Sequence, residues 1–222
     1  MSDDSAAYRA ATALVVFSGG MDSAVALSWA RKNFAAVATV SFAYGAKHNA
    51  VEHRHALKTC AKLGVENTLI ELPFIGQHFT SSLLAGGAPV PRGDYNETNM
   101  ASTVVPFRNG IMLAAAAGFA ETRRYDYLIL GNHGGDHAVY PDCRPEFIDG
   151  MAAAIYSGTT NGVRLLSPFC RRTKSEIAKI GKELGVDFSL TYSCYEGGEI
   201  PCGECATCRE REKALRAIRE QS

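Results

Sequence analysis

The sequence lacks an excess of charge of either sign, and it lacks a long apolar run. Its 222 residues carry 23 Lys and Arg against 23 Asp and Glu, so the net charge gives no support for a nucleic-acid-binding surface or a basic membrane patch. No segment approaches the roughly 18 consecutive apolar residues of a membrane-spanning helix, and residues 1–11 are polar and acidic, unlike a secretory signal. We therefore expect a cytoplasmic protein that acts on small molecules, without nucleic-acid or membrane partners.

The sequence also lacks two common nucleotide-binding glycine motifs, G-x-x-x-x-G-K-[ST] and G-x-G-x-x-G. It has instead Ser18-Gly19-Gly20 after an apolar run, followed by Met21-Asp22-Ser23, where the apolar residues take helical spacing. Two consecutive glycines allow a sharp turn with backbone N–H groups close to a ligand, and the N-terminus of a helix adds positive charge there. This strand, turn and helix predict a phosphate site, and the alternative is an ordinary glycine turn.

Five apolar runs recur along the chain with helical patterns between them. Because the runs show no polar alternation, they are typical of parallel strands covered on both faces. The predicted fold class is therefore α/β, with a doubly wound, mostly parallel five-stranded sheet. The predicted strands are 11–17, 36–42, 67–73, 125–131 and 163–169. The predicted helices are 22–33, 48–63, 106–122, one from about Pro145, one from the capping box at Thr173 to before Gly185, and 206–220; 74–104 is the least regular segment.

Polar residues that follow the strands are candidate ligand contacts, because ligands of a doubly wound sheet bind beyond the carboxyl ends of its strands. Tyr44 and His48 follow the second run, and Arg108 and Asn109 open a later helix. The planar donors of Arg108 suit phosphate or carboxylate, and Asn109 can donate to and accept from an aminopyrimidine edge. A solvated helix face for His48 and a surface salt bridge for Arg108 are the alternatives.

A polar loop at 131–147 follows the fourth run. Its carboxylates can accept from ring N–H groups, Arg144 can pair with an oxyanion, and an aromatic side chain can stack on a heterocycle. The loop therefore predicts a site for a heterocyclic substrate, and its candidates are Asp136, His137, Tyr140, Asp142, Arg144 and Phe147. A metal site built from His133, Asp136 and His137 is the rival hypothesis.

Four of the seven cysteines crowd near the C-terminal end as Cys194-x7-Cys202-x2-Cys205-x2-Cys208. Thiolates at this spacing can surround one tetrahedral ion, for which zinc is the default and an iron–sulfur cluster the alternative. Four protein ligands leave no open position, so we expect a structural site. The predicted organisation is an α/β domain at 1–190 and a zinc-binding helical appendage at 191–222.

The motif S-G-G-M-D-S resembles that of the N-type ATP pyrophosphatases, which split ATP so that AMP becomes attached to a substrate oxygen. With Y-P-D-C-R-P-E-F at 140–147 and the four-cysteine tail, the chain is similar to the 7-cyano-7-deazaguanine synthase family over about residues 15–211. The resemblance implies a Rossmann-like fold of the adenine nucleotide alpha hydrolase type. It also implies a homodimeric, magnesium-dependent ligase that converts 7-carboxy-7-deazaguanine, ammonia and ATP to a nitrile through adenylate and amide intermediates, in queuosine or other 7-deazaguanine biosynthesis.

The resemblance assigns roles to matching positions. It implies catalytic roles for Asp22, Ser23, Arg108, Asp142 and Arg144. The implied substrate-binding residues are Tyr44, His48, Arg108, Asn109, Asp136, His137, Tyr140, Asp142, Arg144 and Phe147. The implied ATP-binding residues are Phe17, Ser18, Gly19, Gly20, Met21, Asp22, Ser23, Ala24, Val25, Ala26, Leu27 and Lys174, a solvated lysine being the alternative for the last.

The chain departs from the family pattern in two places. Phe107 stands where many members have glycine, and residues 133–139 replace an acidic E-T-D-F-S-G stretch. Both departures concern the ring-binding end of the predicted pocket. Three rival interpretations follow: a divergent ATP pyrophosphatase acting on another acceptor, a tRNA thiolase or amide synthetase, and a nucleotide-binding regulatory module without catalysis.

Overall fold

The computed structural model describes residues 8–94, 100–136 and 140–220. It contains a five-stranded sheet formed by β1 (Thr12–Val16), β2 (Ala36–Ala43), β3 (Asn67–Glu71), β4 (Tyr127–Leu130) and β5 (Arg164–Leu166). The helices are α1 (Met21–Asn33), α2 (Asn49–Leu63), α3 (Pro73–His78), α4 (Arg108–Thr122), α5 (Pro145–Gly158), α6 (Lys174–Glu183) and α7 (Ala206–Arg219). None of the helices in these ranges is long and apolar enough to cross a membrane.

The sheet is wholly parallel, with the strand order β3-β2-β1-β4-β5. The chain runs from β1 through β2 to β3 on one side and then crosses to β4 and β5 on the other. Strand order therefore reverses between β1 and β4, which is the place where doubly wound sheets bind ligands. The predicted fold class is confirmed.

The sheet is buried on both faces, which explains the absence of polar alternation along its strands. Ala13 and Val15 of β1 pack into a core with α1 and α6, while Leu14 packs on the opposite face with α4 and α5. Ala13, Leu14 and Val15 have no solvent exposure. Successive residues of a strand point to opposite faces, so each residue in the centre of β1 has to be apolar.

Two element boundaries differ from the predicted ones. β3 ends at Glu71, and Pro73 opens the short helix α3 inside a segment predicted to be irregular beyond residue 73; proline fits a first helical turn because it has no N–H to leave unpaired. α4 begins at Arg108 instead of Pro106, because Phe107 adopts a left-handed conformation with φ 53° and interrupts the helical geometry.

Helix punctuation elsewhere follows the prediction. Thr173 and Glu176 form a capping box at the start of α6, in which each side chain accepts from the other residue's backbone N–H. Gly64 ends α2 in the left-handed region, with φ 64°.

The C-terminal helix α7 packs against the α/β body. Ala214 and Ile218 of α7 form an apolar cluster with Met21 of α1 and Ala178 of α6. Arg211 of α7 donates to the carbonyl of Phe188 at 2.6 Å. The helix that carries the last of the four cysteines is therefore held against the N-terminal end of α1.

Candidate active site

The turn after β1 has the predicted strand, turn and helix geometry. Gly19 has φ 81°, and a Cβ atom added to it would lie 2.6 Å from the carbonyl oxygen of Glu52 and 2.8 Å from the amide nitrogen of Ala56. No side chain fits there, so the turn packs directly against the backbone of α2. The hydroxyls of Ser18 and Ser23 lie 3.2 Å apart across the turn, at the N-terminal end of α1.

A cavity of about 220 Å³ lies beside this turn, over the carboxyl ends of β1, β2 and β4. One end is bounded by Ser18, Asp22 and Lys174, and the other by Tyr44 and Arg108. The cavity therefore brings together most of the turn residues implied to bind ATP and most of the candidates at the strand ends. The other implied members that line the cavity are Phe17, Gly20, Met21, Ser23, His48 and Asn109.

Four charged or ionisable side chains meet at the first end of the cavity, and we call Asp22, His133, Lys174 and Glu210 the Lys174 cluster. The Lys174 ammonium lies 3.0 Å from an oxygen of Asp22 and 3.0 Å from an oxygen of Glu210. The same ammonium lies 3.3 Å from His133 Nε2. Lys174 is only 8% exposed, so the solvated lysine considered from sequence is wrong.

The second oxygen of Asp22, Oδ1, is buried and has no hydrogen-bond partner within the described ranges. A buried carboxylate oxygen without a partner is unfavourable. It would be satisfied by a hydrogen-bond donor or by a hard cation, and oxygen ligands are those that Mg²⁺ prefers. The donor set at this end therefore fits magnesium beside phosphate oxygens.

Tyr44, His48, Glu52 and Arg108 form the opposite end, and we call them the Arg108 cluster. Arg108 Nη1 donates to the Tyr44 hydroxyl at 3.2 Å, and that hydroxyl lies 3.3 Å from His48 Nε2. His48 Nδ1 lies 3.3 Å from the carbonyl oxygen of Tyr195. These contacts join Tyr44, His48 and Arg108 as one hydrogen-bonded wall of the cavity. Glu52 lies in the same wall, without a hydrogen bond to its carboxyl group among the described residues.

Burial shifts the pKa values of Tyr44, His48 and Glu52 toward their neutral forms. It raises the pKa of Glu52 to about 8, although the nearby Arg108 charge opposes the shift. Burial and the Arg108 charge together lower the pKa of His48 to about 4, and burial raises the pKa of Tyr44. At neutral pH the guanidinium of Arg108 is therefore the main charge at this end.

The 140–147 loop lies behind the cavity, and only its Cys143 lines the wall. Asp142 Oδ2 accepts from the backbone N–H of Asn109 at 2.8 Å, and its carbonyl accepts from the Asn109 side chain at 3.1 Å. Asp142 therefore satisfies a free N–H in the first turn of α4, and it reaches the cavity only through Asn109.

Three other loop candidates, all within the described residues, also lie outside the cavity. The Tyr140 hydroxyl lies 2.7 Å from the Thr103 hydroxyl, Phe147 packs edge-on against Phe107 with ring centroids 5.7 Å apart, and Arg144 is exposed. Asp136 ends a short 3₁₀ helix, and His137 lies outside the described residues.

The four cysteines of the tail come together as their spacing predicts. Their sulfur atoms all lie within 4.8 Å of one another, and the sulfur atoms of Cys202 and Cys208 are 4.0 Å apart. A tetrahedral zinc with Zn–S bonds of about 2.3 Å requires sulfur separations of this order. Hydrogen bonds from Cys194 and Cys208 lower the pKa of Cys205, whereas the pKa of Cys208 is raised. One thiolate thus disfavours a second, and a bound cation removes that conflict, so the donor set fits a metal ion.

No pattern in the sequence singles out Glu210. It lies in a charged helix whose other carboxylate, Glu212, is exposed. Its partner Lys174 is 36 residues away in sequence. The only available signal was its position two residues after Cys208, on a helix whose start the cysteines fix.

Comparisons with known proteins identify the family of the chain. The family model described as queuosine biosynthesis protein QueC matches residues 12–219. The 7-cyano-7-deazaguanine synthase of Porphyromonas gingivalis is 53% identical over 207 residues, which are 93% of each chain. The 7-cyano-7-deazaguanine synthase of Desulfotalea psychrophila is 50% identical over 203 residues, 91% of this chain and 93% of that protein.

A solved structure shares the fold. The U34-tRNA thiolase NcsA from Methanococcus maripaludis, with its 4Fe-4S cluster, superposes with a TM-score of 0.51 at 14% sequence identity. The match covers 95% of this chain and 66% of the thiolase chain, so this chain spans just under two thirds of that protein. The fold is thus shared with an enzyme of different sequence, whereas the family match extends along nearly the whole chain. The chain belongs to the queuosine biosynthesis protein QueC family.

Proposed function

We propose that this chain is a 7-cyano-7-deazaguanine synthase, an ATP-dependent ligase that forms carbon–nitrogen bonds in queuosine or other 7-deazaguanine biosynthesis. Its substrates are 7-carboxy-7-deazaguanine, ammonia and ATP, and its product is the nitrile. The relatives that carry this name support the assignment at 50–53% identity over nearly the whole chain. The observation that carries the proposal in the structure is a single cavity with the Ser18-Gly19-Gly20 turn and Lys174 at one end and Arg108 at the other.

The proposed chemistry needs both ends of the cavity. A carboxylate is a poor electrophile, so the enzyme first converts it to an adenylate; ammonia then displaces AMP and gives an amide. A second activation, at the amide oxygen, allows loss of that oxygen as the nitrile forms. The turn and the N-terminal end of α1 hold the phosphates, Lys174 offsets their charge, and Arg108 binds the carboxylate with its paired donors.

Roles within the proposed site follow exposure to the cavity. Asp22, Ser23 and Arg108 touch the reacting groups, and Tyr44, His48 and Asn109 bind the substrate. Asp142 acts through Asn109 and is proposed as a positioning residue. Substrate contacts by Tyr140, Arg144, Phe147, Asp136 and His137 stay predictions, and so do the ATP contacts of Ala24, Val25, Ala26 and Leu27.

Two metals belong to the proposal. Magnesium, held in part by Asp22, would offset charge on the triphosphate. Zinc bound by Cys194, Cys202, Cys205 and Cys208 would fix the start of α7. An iron–sulfur cluster is the rival for the cysteines, and visible absorption together with elemental analysis separates the two. The division at residue 190, the cytoplasmic location and the homodimer also stay predictions.

The test supplies the purified protein with 7-carboxy-7-deazaguanine, ammonium and Mg-ATP. Mass spectrometry should detect the nitrile, and omission of ammonium should leave only AMP-activated substrate. Asp22→Asn is the inactive control, because it weakens the proposed phosphate and magnesium site. The absence of both amide and nitrile, in a protein that still binds ATP, would contradict the proposal.

A further inference from the structure

Glu52 is a largely buried carboxyl group of the cavity wall. It lies in the first turn of α2, beside the Gly19 turn, and lines the cavity with 18% of its side chain exposed. His48 Nε2 lies 3.9 Å from a carboxyl oxygen of Glu52, which is too far for a hydrogen bond, and the lowered pKa of His48 leaves the imidazole neutral at neutral pH. No hydrogen bond to its carboxylate is present in the described part of the chain.

The surroundings of Glu52 explain neither its burial nor its position. The ionisable groups that face it are His48 on its own helix, Tyr44 at the end of β2, Arg108 on α4 and Tyr192 before the cysteines. Arg108 forms its hydrogen bond with Tyr44 instead of Glu52. A buried carboxyl group without a hydrogen bond costs free energy, and such groups concentrate at functional sites.

The proposed reaction requires a base at this place. Ammonia is present mainly as ammonium at neutral pH, as other simple amines are, and ammonium has no lone pair with which to attack a carbon atom. If Arg108 binds the carboxylate of the substrate, the activated carbon lies beside Glu52, between the guanidinium and the phosphate turn. Burial raises the pKa of Glu52 to about 8, so a fraction of the molecules carries an ionised Glu52 at neutral pH. That ionised form would attract ammonium, and a group whose pKa lies near the working pH can also accept and release a proton.

We propose that Glu52 binds the incoming ammonium ion and removes one proton from it, so that ammonia forms inside the cavity next to the activated carboxyl carbon. One N–H bond breaks, its electron pair stays on nitrogen, and the proton moves to a Glu52 oxygen. The nitrogen lone pair then forms the C–N bond while the C–O bond to AMP breaks, and AMP leaves with that electron pair. The nitrogen loses a second proton to water as the amide forms. This inference rests on the proposed function and assigns the subsite of its second substrate.

The test compares two nucleophiles in the metal-loaded enzyme and in Glu52→Gln, which keeps the shape of the side chain. Hydroxylamine is a much weaker base than ammonia and is mainly uncharged at neutral pH, so it needs no base. We expect the rate with ammonium to fall by about 10²-fold to 10⁴-fold in the variant, while the rate with hydroxylamine falls far less. Glu52→Asp, which keeps a carboxylate, should recover part of the ammonium rate. Glu199→Gln is the matched control. It removes an exposed carboxylate that pairs with Arg54, which lies on α2 together with Glu52.

The outcomes separate this inference from the proposed function. Pyrophosphate release from ATP and the carboxylate, without any nucleophile, reports activation alone. If the wild-type enzyme shows no such release, the proposed function fails and the inference fails with it. If activation is normal but Glu52→Gln slows both nucleophiles equally, or raises only the KM of the deazaguanine substrate, Glu52 serves ring binding or structure and the inference is overturned.

Discussion

The two ends of the cavity stabilise buried polar groups in opposite ways. In the Lys174 cluster, Lys174 contacts carboxylates of two different helices at 3.0 Å each, so its charges are paired before any ligand binds. In the Arg108 cluster, as far as the structure describes the chain, the guanidinium of Arg108 has only the neutral side chains of Tyr44 and His48 in its hydrogen-bonded chain, and the carboxyl group of Glu52 is left without a hydrogen bond. The first end is built to hold permanent charge, whereas the second is completed only by its substrates.

The two ends also depend on different parts of the chain. The Lys174 cluster needs α7, which supplies Glu210 and whose first turn carries Cys208. The residues of the Arg108 cluster lie on or next to β2, α2 and α4, and their contact with the cysteine tail is that of His48 with Tyr195. A change in the four-cysteine site should therefore damage the phosphate end more than the opposite end.

Cys205→Ser should have the largest effect, and it tests whether the phosphate end depends on the four-cysteine site. The variant should lose about one equivalent of metal and more than about 3 kcal/mol of unfolding free energy, because metal binding contributes folding energy. ATP binding should weaken as Glu210 is released from Lys174. Elemental analysis, denaturant unfolding and calorimetry measure these effects, and Cys60→Ala, which changes a buried cysteine outside the cluster, is the control. Full stability of the variant without metal would contradict a structural role for the metal.

Lys174→Gln attacks the phosphate end directly. It leaves the carboxylates of Asp22 and Glu210 facing each other without a cation, and breaking one partner of a buried ion pair costs about 3–5 kcal/mol. ATP affinity should fall as well. Lys179→Gln changes an exposed lysine on the same helix and should alter stability by less than about 0.5 kcal/mol. An unchanged ATP affinity in Lys174→Gln would show that this lysine is only structural.

Glu210→Gln tests the ion pair with Lys174 alone, because it removes one charge and keeps the shape of the side chain. A hydrogen bond to a charged group contributes about 1.5–3 kcal/mol, and Glu210 is only 24% exposed, so we expect a loss within that range. Metal content should not change. Glu212→Gln on the same helix, where the carboxylate pairs with Arg219 at the surface, should have almost no effect. Equal losses in the two variants would contradict the pairing with Lys174.

The smallest predicted effect concerns pH and the opposite end. Burial raises the pKa of Glu52 from 4.5 to about 8, so between these values the folded chain keeps a proton that the unfolded chain has lost. The stability contributed by Glu52 is complete below about pH 4.5, falls as pH rises through this window, and levels off above 8. Glu52→Gln cannot ionise. Its stability relative to the wild type should therefore increase between pH 5 and pH 9, by about 1–2 kcal/mol because cavity water solvates part of the charge.

Unfolding curves of both proteins at pH 5 and pH 9 measure this difference. The neighbouring His48, whose pKa is lowered from 6.5 to about 4, also changes stability below about pH 6.5. It is present in both proteins, so the difference between them reports Glu52. A difference that stays constant with pH would show that Glu52 is ionised throughout.

The fold and the phosphate turn could be predicted because their signals are local. Apolar runs such as the one ending at Phe17 indicate strands buried on both faces. Gly19 and Gly20 indicate a turn whose backbone packs too closely for side chains. The four-cysteine site could be predicted equally well, because the spacing of the cysteines alone allows them to surround one ion. In each case the physical constraint acts within about fifteen residues of sequence.

The remaining features depend on contacts between distant segments. Asp142 stood in a loop with the composition of a ligand site, yet its side chain binds the backbone N–H of Asn109, 33 residues away. Glu210 and Glu52 look like solvated residues of charged helices until α7 and α2 are placed beside the turn. The left-handed backbone of Phe107 was signalled only by the glycine that many relatives have there, and non-glycine residues are uncommon in that conformation.

The hydrogen bond between His48 and the carbonyl of Tyr195 joins residues 147 positions apart, and this distance has a consequence for how the molecule is made. Contacts of such long range form late, because closing the intervening chain costs entropy before the contact contributes anything. During synthesis, β1, β2 and the glycine turn leave the ribosome long before the segment that completes both walls of the cavity. Assembly of the pocket therefore waits until the segment that carries Tyr195 and Glu210 has emerged.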